Sequence, residues 1–405
     1  MARLKFCGFD YTHVAGTPVI NGTSFYTGIF DFAVDSGMLL QSFQDDAISI
    51  APGVSGSVDN IGNVGRNSSD GGSMGFRQNG ASIQLTAYNV LTQGVTCLRS
   101  TLGNPSELWV TLDISHLFNV NADNPATLQR SESRYQVFKW GDLSLRLRRI
   151  FNVSTTADIT FELFNAATSL GTITLTSLAS GSWMHVRIRA KLDVSGAFEV
   201  SINGVSSNHT GINTVATTSL ASATQLWFSA GTLGSYTTTA PFSLGSIDNL
   251  LIDDAAFPAG RPSGRRVAIA SDNAVSGFVA TSGGTLTTAV SAIDSNLARG
   301  TGVGASVQFN LASVTTTGLN SNILGWQVQA CQVSNVDVLA AKRIVGGIEL
   351  SGTVYNGSNW ASMAPPLTPS TVNPGIETVF YKGGTTDFTL SDIPNCKPRL
   401  TVANV

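Results

Sequence analysis

Apolar and polar residues trade places one by one along much of this chain. Leu143, Leu145 and Leu147 alternate with Ser144, Arg146 and Arg148. Val186, Ile188 and Ala190 alternate with Arg187, Arg189 and Lys191, and Phe198, Val200 and Ile202 with Glu199 and Ser201. Ile83, Leu85 and Ala87 repeat the pattern against Gln84, Thr86 and Tyr88. A period of two is the pleat of a β-strand, with one face in a core and the other toward water. The leucines above are therefore expected in a core and the arginines beside them in solvent. Between two of these runs lies Asp193-Val194-Ser195-Gly196, a hairpin-length spacer. Asn203-Gly204 follows, a pair that tolerates positive φ at both central positions of a type I′ turn. Stretches with 3.6-residue apolar spacing and caps are scarce. The expectation is an all-β chain.

With 405 residues there is room for two or three domains, and 42% apolar residues can fill their cores. Only 12% of residues are charged, about half the usual share, which argues against disorder driven by charge. The net charge of −3 offers no basic field to a nucleic acid, and the densest basic spot, Arg146, Arg148 and Arg149, reads as a solvated strand face. Cys7, Cys97, Cys331 and Cys396 are too far apart for a Cys-x-x-Cys motif and are expected as free, mostly buried thiols. Residues Met1 to Asp10 lack the apolar core of a signal peptide. No apolar run approaches the ~20 residues of a membrane helix, so membrane insertion is not expected.

A Pro/Gly segment, Phe257-Pro258-Ala259-Gly260-Arg261-Pro262-Ser263-Gly264, reads as a linker. It divides the chain into a β-sandwich over residues 1–260 and a smaller C-terminal β-sandwich, an assembly domain, over 261–405. The latter has strands at Ala305 to Leu311 and Gly325 to Val333. Residues 53–80 are rich in Gly, Asn, Ser and Asp and read as a long polar loop, a candidate contact arm.

The run Gly181-Ser182-Trp183-Met184-His185-Val186-Arg187-Ile188-Arg189, the Asp193–Gly196 turn, and Phe198 to Gly204 resemble the concanavalin A-like, laminin-G-type jelly roll. Ile247-Asp248-Asn249-Leu250 is similar to a later strand of that family. The order of blocks also resembles tailed-phage virion proteins. Leu4 to Tyr11 opens the chain around Gly-Phe-Asp, Gly65-Arg66 and Gly71-Gly72 follow, and Arg265-Arg266-Val267-Ala268-Ile269 opens the second domain. The resemblance implies a structural component of a bacteriophage virion, associated with the tail, neck or fibre or with the capsid surface, and not an enzyme. It would be made in the host cytoplasm, released by lysis and located in the virion. Its partners would be itself, other virion proteins and host-surface glycans contacted during attachment. Low charge and small polar residues suit flat surfaces that pack in a homo-oligomer, with a trimer the first expectation. Calcium in such jelly rolls makes Asp248, Asp253 and Asp254 candidate ligands, although Asn249 departs from the acidic residue expected there and no Asp-x-Asp-x-Asp-Gly loop is present. No other cofactor is expected.

Two further readings compete: a carbohydrate-binding, lectin-like module, and a glycan hydrolase. Glucanases on this fold carry a Glu-x-Asp-x-x-Glu strand, which is absent here. Glu107 and Asp113 are six residues apart, roughly 20 Å along an extended strand, too far to share one bond. Glu162 has no acidic partner at the next position on its face. His13, His116, His185 and His209 lack a second ligand at metal spacing, and no Gly-x-Ser-x-Gly elbow or phosphate-binding glycine motif appears. Trp183 reads as a core aromatic rather than a sugar platform. No catalytic residue and no glycan-binding residue is assigned from the sequence.

Overall fold

The computed structural model describes residues 3–7, 38–43, 82–87, 98–115, 132–153, 156–179, 182–223, 225–228, 242–262, 267–291, 297–314, 316, 321–333, 342–357 and 373–404. The loop expected at 53–80, the Gly65-Arg66 and Gly71-Gly72 blocks, His13, His116 and Cys97 lie outside these residues. The chain folds as two compact units, one reaching residue 265 and the other starting at residue 266.

The strands of the first unit are, in chain order, β1 (Arg3–Cys7), β2 (Met38–Phe43), β3 (Ser82–Ala87), β4 (Leu98–Thr101), β5 (Glu107–Ser115), β6 (Glu132–Trp140), β7 (Leu143–Val153), β8 (Thr156–Asn165), β9 (Thr168–Ala179), β10 (Trp183–Lys191), β11 (Gly196–Ile202), β12 (Val205–Ile212), β13 (Gln225–Phe228) and β14 (Phe242–Asp253). They form two antiparallel sheets. One has the order β12-β11-β10-β5-β14-β3-β2, with β1 also paired to β14, and the other runs β4-β13-β6-β7-β8-β9. Sequential hairpins alternate with long crossings such as β5 to β10, 68 residues apart at their nearest ends (183 − 115). This is a jelly-roll sandwich.

The alternation in the sequence decides what faces inward. Leu108, Val110, Leu112 and Ile114 of β5, Met184, Val186, Ile188 and Ala190 of β10, and Phe198, Val200 and Ile202 of β11 are all buried. They meet Leu143, Leu145 and Leu147 of β7 and Ala157, Ile159, Phe161 and Leu163 of β8, also buried. Phe138 and Phe198 stack across the two sheets with ring centroids 6.2 Å apart. Each Val, Leu, Ile, Phe or Met side chain among them contributes about 1.5–3 kcal/mol by leaving water. Trp183 is buried as expected of a core aromatic.

Both turns flanking β11 follow their sequence signals. Ser195 N–H donates to the Asp193 carboxylate in the β10–β11 hairpin. Asn203 and Gly204 have φ of 51° and 89°, the two positive values of a type I′ turn. One expectation fails on the second sheet. Arg146 is not simply in water: it is half-buried, with its guanidinium 3.9 Å from the centroid of the Phe164 ring and Glu162 opposite it on β8. Burial lowers its pKa and Glu162 raises it, and the net direction is downward. Long arginine stems cover apolar surface even on an outward face.

The second unit is a smaller β-sandwich. Its strands are β15 (Ile269–Ser276), β16 (Phe278–Ala280), β17 (Ala298–Gly300), β18 (Ser306–Leu311), β19 (Asn322–Ile323), β20 (Trp326–Val333), β21 (Lys342–Leu350), β22 (Thr353–Asn356), β23 (Asn373–Val379), β24 (Phe388–Thr389) and β25 (Cys396–Asn404). A five-stranded sheet, β15-β18-β25-β21-β22, is joined by the two-stranded pairs β16-β17, β19-β24 and β20-β23. One core gathers Phe278, Leu286, Val307, Phe309 and Val402, and another Ile348, Val379, Phe388 and Cys396. Cys396 is a free, buried thiol, and burial, with Asp392 nearby, pushes its pKa up to about 12.

Candidate functional site

The polar residues of β10 and β5 that alternate away from the core line up across the outer face of the large sheet. Register pairs His185 with Asp113, Arg187 with Thr111, Arg189 with Trp109 and Lys191 with Glu107. Residues two apart on one strand repeat at roughly 7 Å, so each pair is one rung of a short ladder.

At one end of the ladder stands Asp113, fully buried although it faces away from the core. Its Oδ1 accepts from His185 Nδ1 at 2.9 Å and from Arg261 Nε and Nη2 at 3.0 and 2.9 Å. Its Oδ2 accepts from Asn249 Nδ2 at 2.8 Å. A buried carboxylate persists only when surrounded by donors in this way. Because a carboxylate can only accept, His185 Nδ1 carries the proton of this bond, and Nε2 is the ring nitrogen not engaged by Asp113. The imidazole is 17% exposed. Asn203 of the type I′ turn fixes the backbone beneath it: His185 N–H donates to Asn203 Oδ1 at 2.8 Å, and Asn203 N–H donates to His185 O at 2.9 Å.

Asn249 reaches Asp113 through a bulge. The β14–β5 register shifts between Asp248 and Leu251, and Asn249 takes φ of 50° there. Asparagine is among the residues that tolerate this left-handed conformation. The residue that departs from the expected acidic position is thus the one that satisfies the second carboxylate oxygen.

At the other end Arg189 Nε donates to Glu107 at 2.6 Å and Arg189 Nη1 to Glu199 at 2.7 Å, while its guanidinium lies 4.9 Å from the Trp109 ring centroid. Glu107 raises the Arg189 pKa, and Glu199 adds to it. Between the two ends, Phe257 sets its ring edge-on to Trp109 at 4.7 Å, and the Arg187 guanidinium lies 4.1 Å from the Phe257 centroid. The segment Asp254–Pro262 therefore runs back over the outer face as a strap. Thr111 and Leu251, partners across β5 and β14, are each 1% exposed. What reads in sequence as the start of a linker is pinned to the sheet through Phe257 and Arg261. The first unit accordingly extends past residue 260.

Of the candidate calcium ligands, Asp253 and Asp254 have described side chains. The Asp253 carboxylate turns the chain into the strap by accepting from Ala255 N–H at 2.8 Å and Ala256 N–H at 3.4 Å. Burial raises its pKa, against those two bonds. Asp254 adjoins it, and the side chain of Asp248 lies outside the described residues. Among the described residues no three His, Cys, Asp or Glu side chains gather in a way that could hold a metal. Glu107 and Asp113 stand at opposite ends of the ladder, as their spacing predicts. Asp113, His185, Asn249 and Arg261 were not singled out as a group by the sequence. The outward position of His185 was its one local signal, since His185, Asn249 and Arg261 lie 72, 136 and 148 residues from Asp113.

No protein-family model matches the chain, and no curated protein does. Solved structures do. An alginate lyase, Aly36B, matches at 17% identity and a TM-score of 0.31 over 56% of this chain and all of its own. The polysaccharide lyase family-7 alginate lyase A1-II′ matches at 13% identity and 0.31 over 54% of this chain and 94% of its own. An endo-β-1,4-glucuronan lyase from the fungus Trichoderma reesei matches at 10% and 0.28 over 43% and 82%. Likeness at this level concerns the sandwich fold and assigns no activity. The expectation of a non-enzymatic virion component of tail, fibre or capsid surface is corrected to this extent: the solved structures named above are polysaccharide lyases, and none of them is a virion protein.

Proposed function

We propose that the first unit binds polysaccharide across the outer face of its large sheet, and that His185, held by Asp113, is the general base there. The observation that carries this reading is the imidazole on a fully buried carboxylate, one rung away from a row of aromatic rings and guanidinium groups. A general base must keep one nitrogen free and be fixed in tautomer and orientation. Asp113 and Asn203 provide both. Trp109 offers a flat apolar face of the kind that saccharide rings cover, and the flanking charged groups offer hydrogen bonds to hydroxyls.

The test uses the full-length chain and a panel of neutral and acidic polysaccharides. Retention is read by affinity electrophoresis and chain shortening by size-exclusion chromatography. The expected result is shortening of at least one polymer, lost in His185→Ala while retention persists. Retention of none of the polymers, or unchanged shortening by His185→Ala, overturns the reading.

A further inference from the structure

Among the described residues of β10 and the strap, each cation but one is paired with a carboxylate. Arg189 has Glu107 and Glu199, Lys191 has Asp193 at 3.6 Å, and Arg261 has Asp113. Arg187 has no carboxylate partner among the described residues, and its guanidinium rests on the Phe257 ring. The cross-strand neighbour of Arg187 is Thr111, whose hydroxyl is buried and makes no hydrogen bond. Native proteins pair nearly all such groups. Among the described residues, a guanidinium without a carboxylate and an orphaned hydroxyl thus sit side by side on adjacent strands, one rung from His185, with the Phe257 ring against the guanidinium.

Both groups lack the same thing, an acceptor oxygen. The planar guanidinium fork matches a carboxylate through two parallel N–H···O bonds, and a threonine hydroxyl beside it can donate a third. We infer that Arg187 and Thr111 form a seat for a sugar carboxylate, which Phe257 occupies in this structure and vacates when ligand enters. Resting on the polysaccharide-binding reading above, this assigns the ligand as a polymer of uronic acid. Arg187 is then the residue that determines specificity, and the carboxylate it holds lies beside the Nε2 atom of His185.

The experiment compares a short oligouronate, the same oligosaccharide after reduction of its carboxyl groups, and a sulfated neutral oligosaccharide, by calorimetric titration of the full-length chain. A charge-assisted hydrogen-bond pair at one seat corresponds to roughly 10–100-fold in affinity. The oligouronate should bind at least about tenfold tighter than its reduced form. Arg187→Ala should erase that difference while still binding the reduced sugar, Arg187→Lys should restore part of it, and Thr111→Val should narrow it. Phe257→Ala should bind the oligouronate no more weakly than the unmodified chain. Three results overturn the inference and leave saccharide binding intact. One is equal affinity for oligouronate and reduced sugar, and another is a sulfated ligand that binds as tightly as the uronate. The third is an Arg187→Ala variant, shown folded by its melting curve, that weakens both sugars alike. Binding of no saccharide at all overturns both readings.

Discussion

Gly196→Ala tests how tightly the β10–β11 corner is built. Gly196 opens β11, and a Cβ there would lie 2.2 Å from Thr214 Oγ1, 2.4 Å from Lys191 O and 2.9 Å from Thr214 Cγ2. The Thr214 side chain has no free direction to yield. It is fully buried, its hydroxyl donates to Lys191 O at 2.7 Å with Asp193 O at 3.1 Å, and it accepts from Asp193 N–H at 2.9 Å. Overpacking by one methyl group costs about 1–3 kcal/mol, and displacing Thr214 forfeits hydrogen bonds worth about 1 kcal/mol each, so the sum is about 3–5 kcal/mol. At about 2–4 °C per kcal/mol for a unit of this size, the calorimetric transition of the first unit should fall by roughly 10 °C. Thr214→Ala removes two of the three close atoms, so the double variant should lose clearly less than the sum of the two single losses. A Gly196→Ala variant melting within about 1 kcal/mol of the unmodified chain, or a strictly additive double variant, would show that the corner relaxes freely and refute the argument.

Acid should reveal Asp142, a buried carboxylate in the β6–β7 turn. Burial raises its pKa, but bonds from the Thr217 hydroxyl and N–H and from Thr218 bring it below the usual carboxylate value. A depressed folded pKa stabilises the fold above the unfolded value, and that contribution is lost as pH falls through the folded one. Thr217→Val should therefore destabilise the chain at neutral pH and converge with the unmodified chain in acid, as urea unfolding at the two pH values would show. Cys396, with its pKa pushed up to about 12 and its side chain buried, should resist iodoacetamide at mildly alkaline pH until the second unit unfolds. Peptide mapping of the alkylated native chain checks this, and rapid labelling of Cys396 would contradict it.

The expected function was further from the outcome than the expected fold. Block order suggested a virion component, but blocks such as Leu4 to Cys7 and Ile247 to Leu250 fall on jelly-roll strands, and strands of one fold serve many functions. The carboxylate test applied to the sequence asked for acids close together on one strand. It correctly separated Glu107 from Asp113, but a same-strand test cannot see that His185 stands directly across from Asp113 on a strand far away in sequence. Phe257 to Gly264 was read from its prolines and glycines. The strand β14 has already ended at Asp253, and prolines and glycines say nothing about what Phe257 and Arg261 rest against.

The sequence by itself determined the strands of the jelly roll, which of their residues point inward, and where the chain turns around Asp193 and Asn203. These are local matters, since side-chain alternation and tolerance of positive φ act within a few residues. Only the tertiary structure decided the candidate site. The bulge that aims Asn249, the return of Arg261 over the sheet and the rung that joins His185 to Asp113 all depend on pairing register between distant strands. Register is set by the packing of whole sheets, and a buried carboxylate such as Asp113 is tolerable only once that packing has brought its donors together.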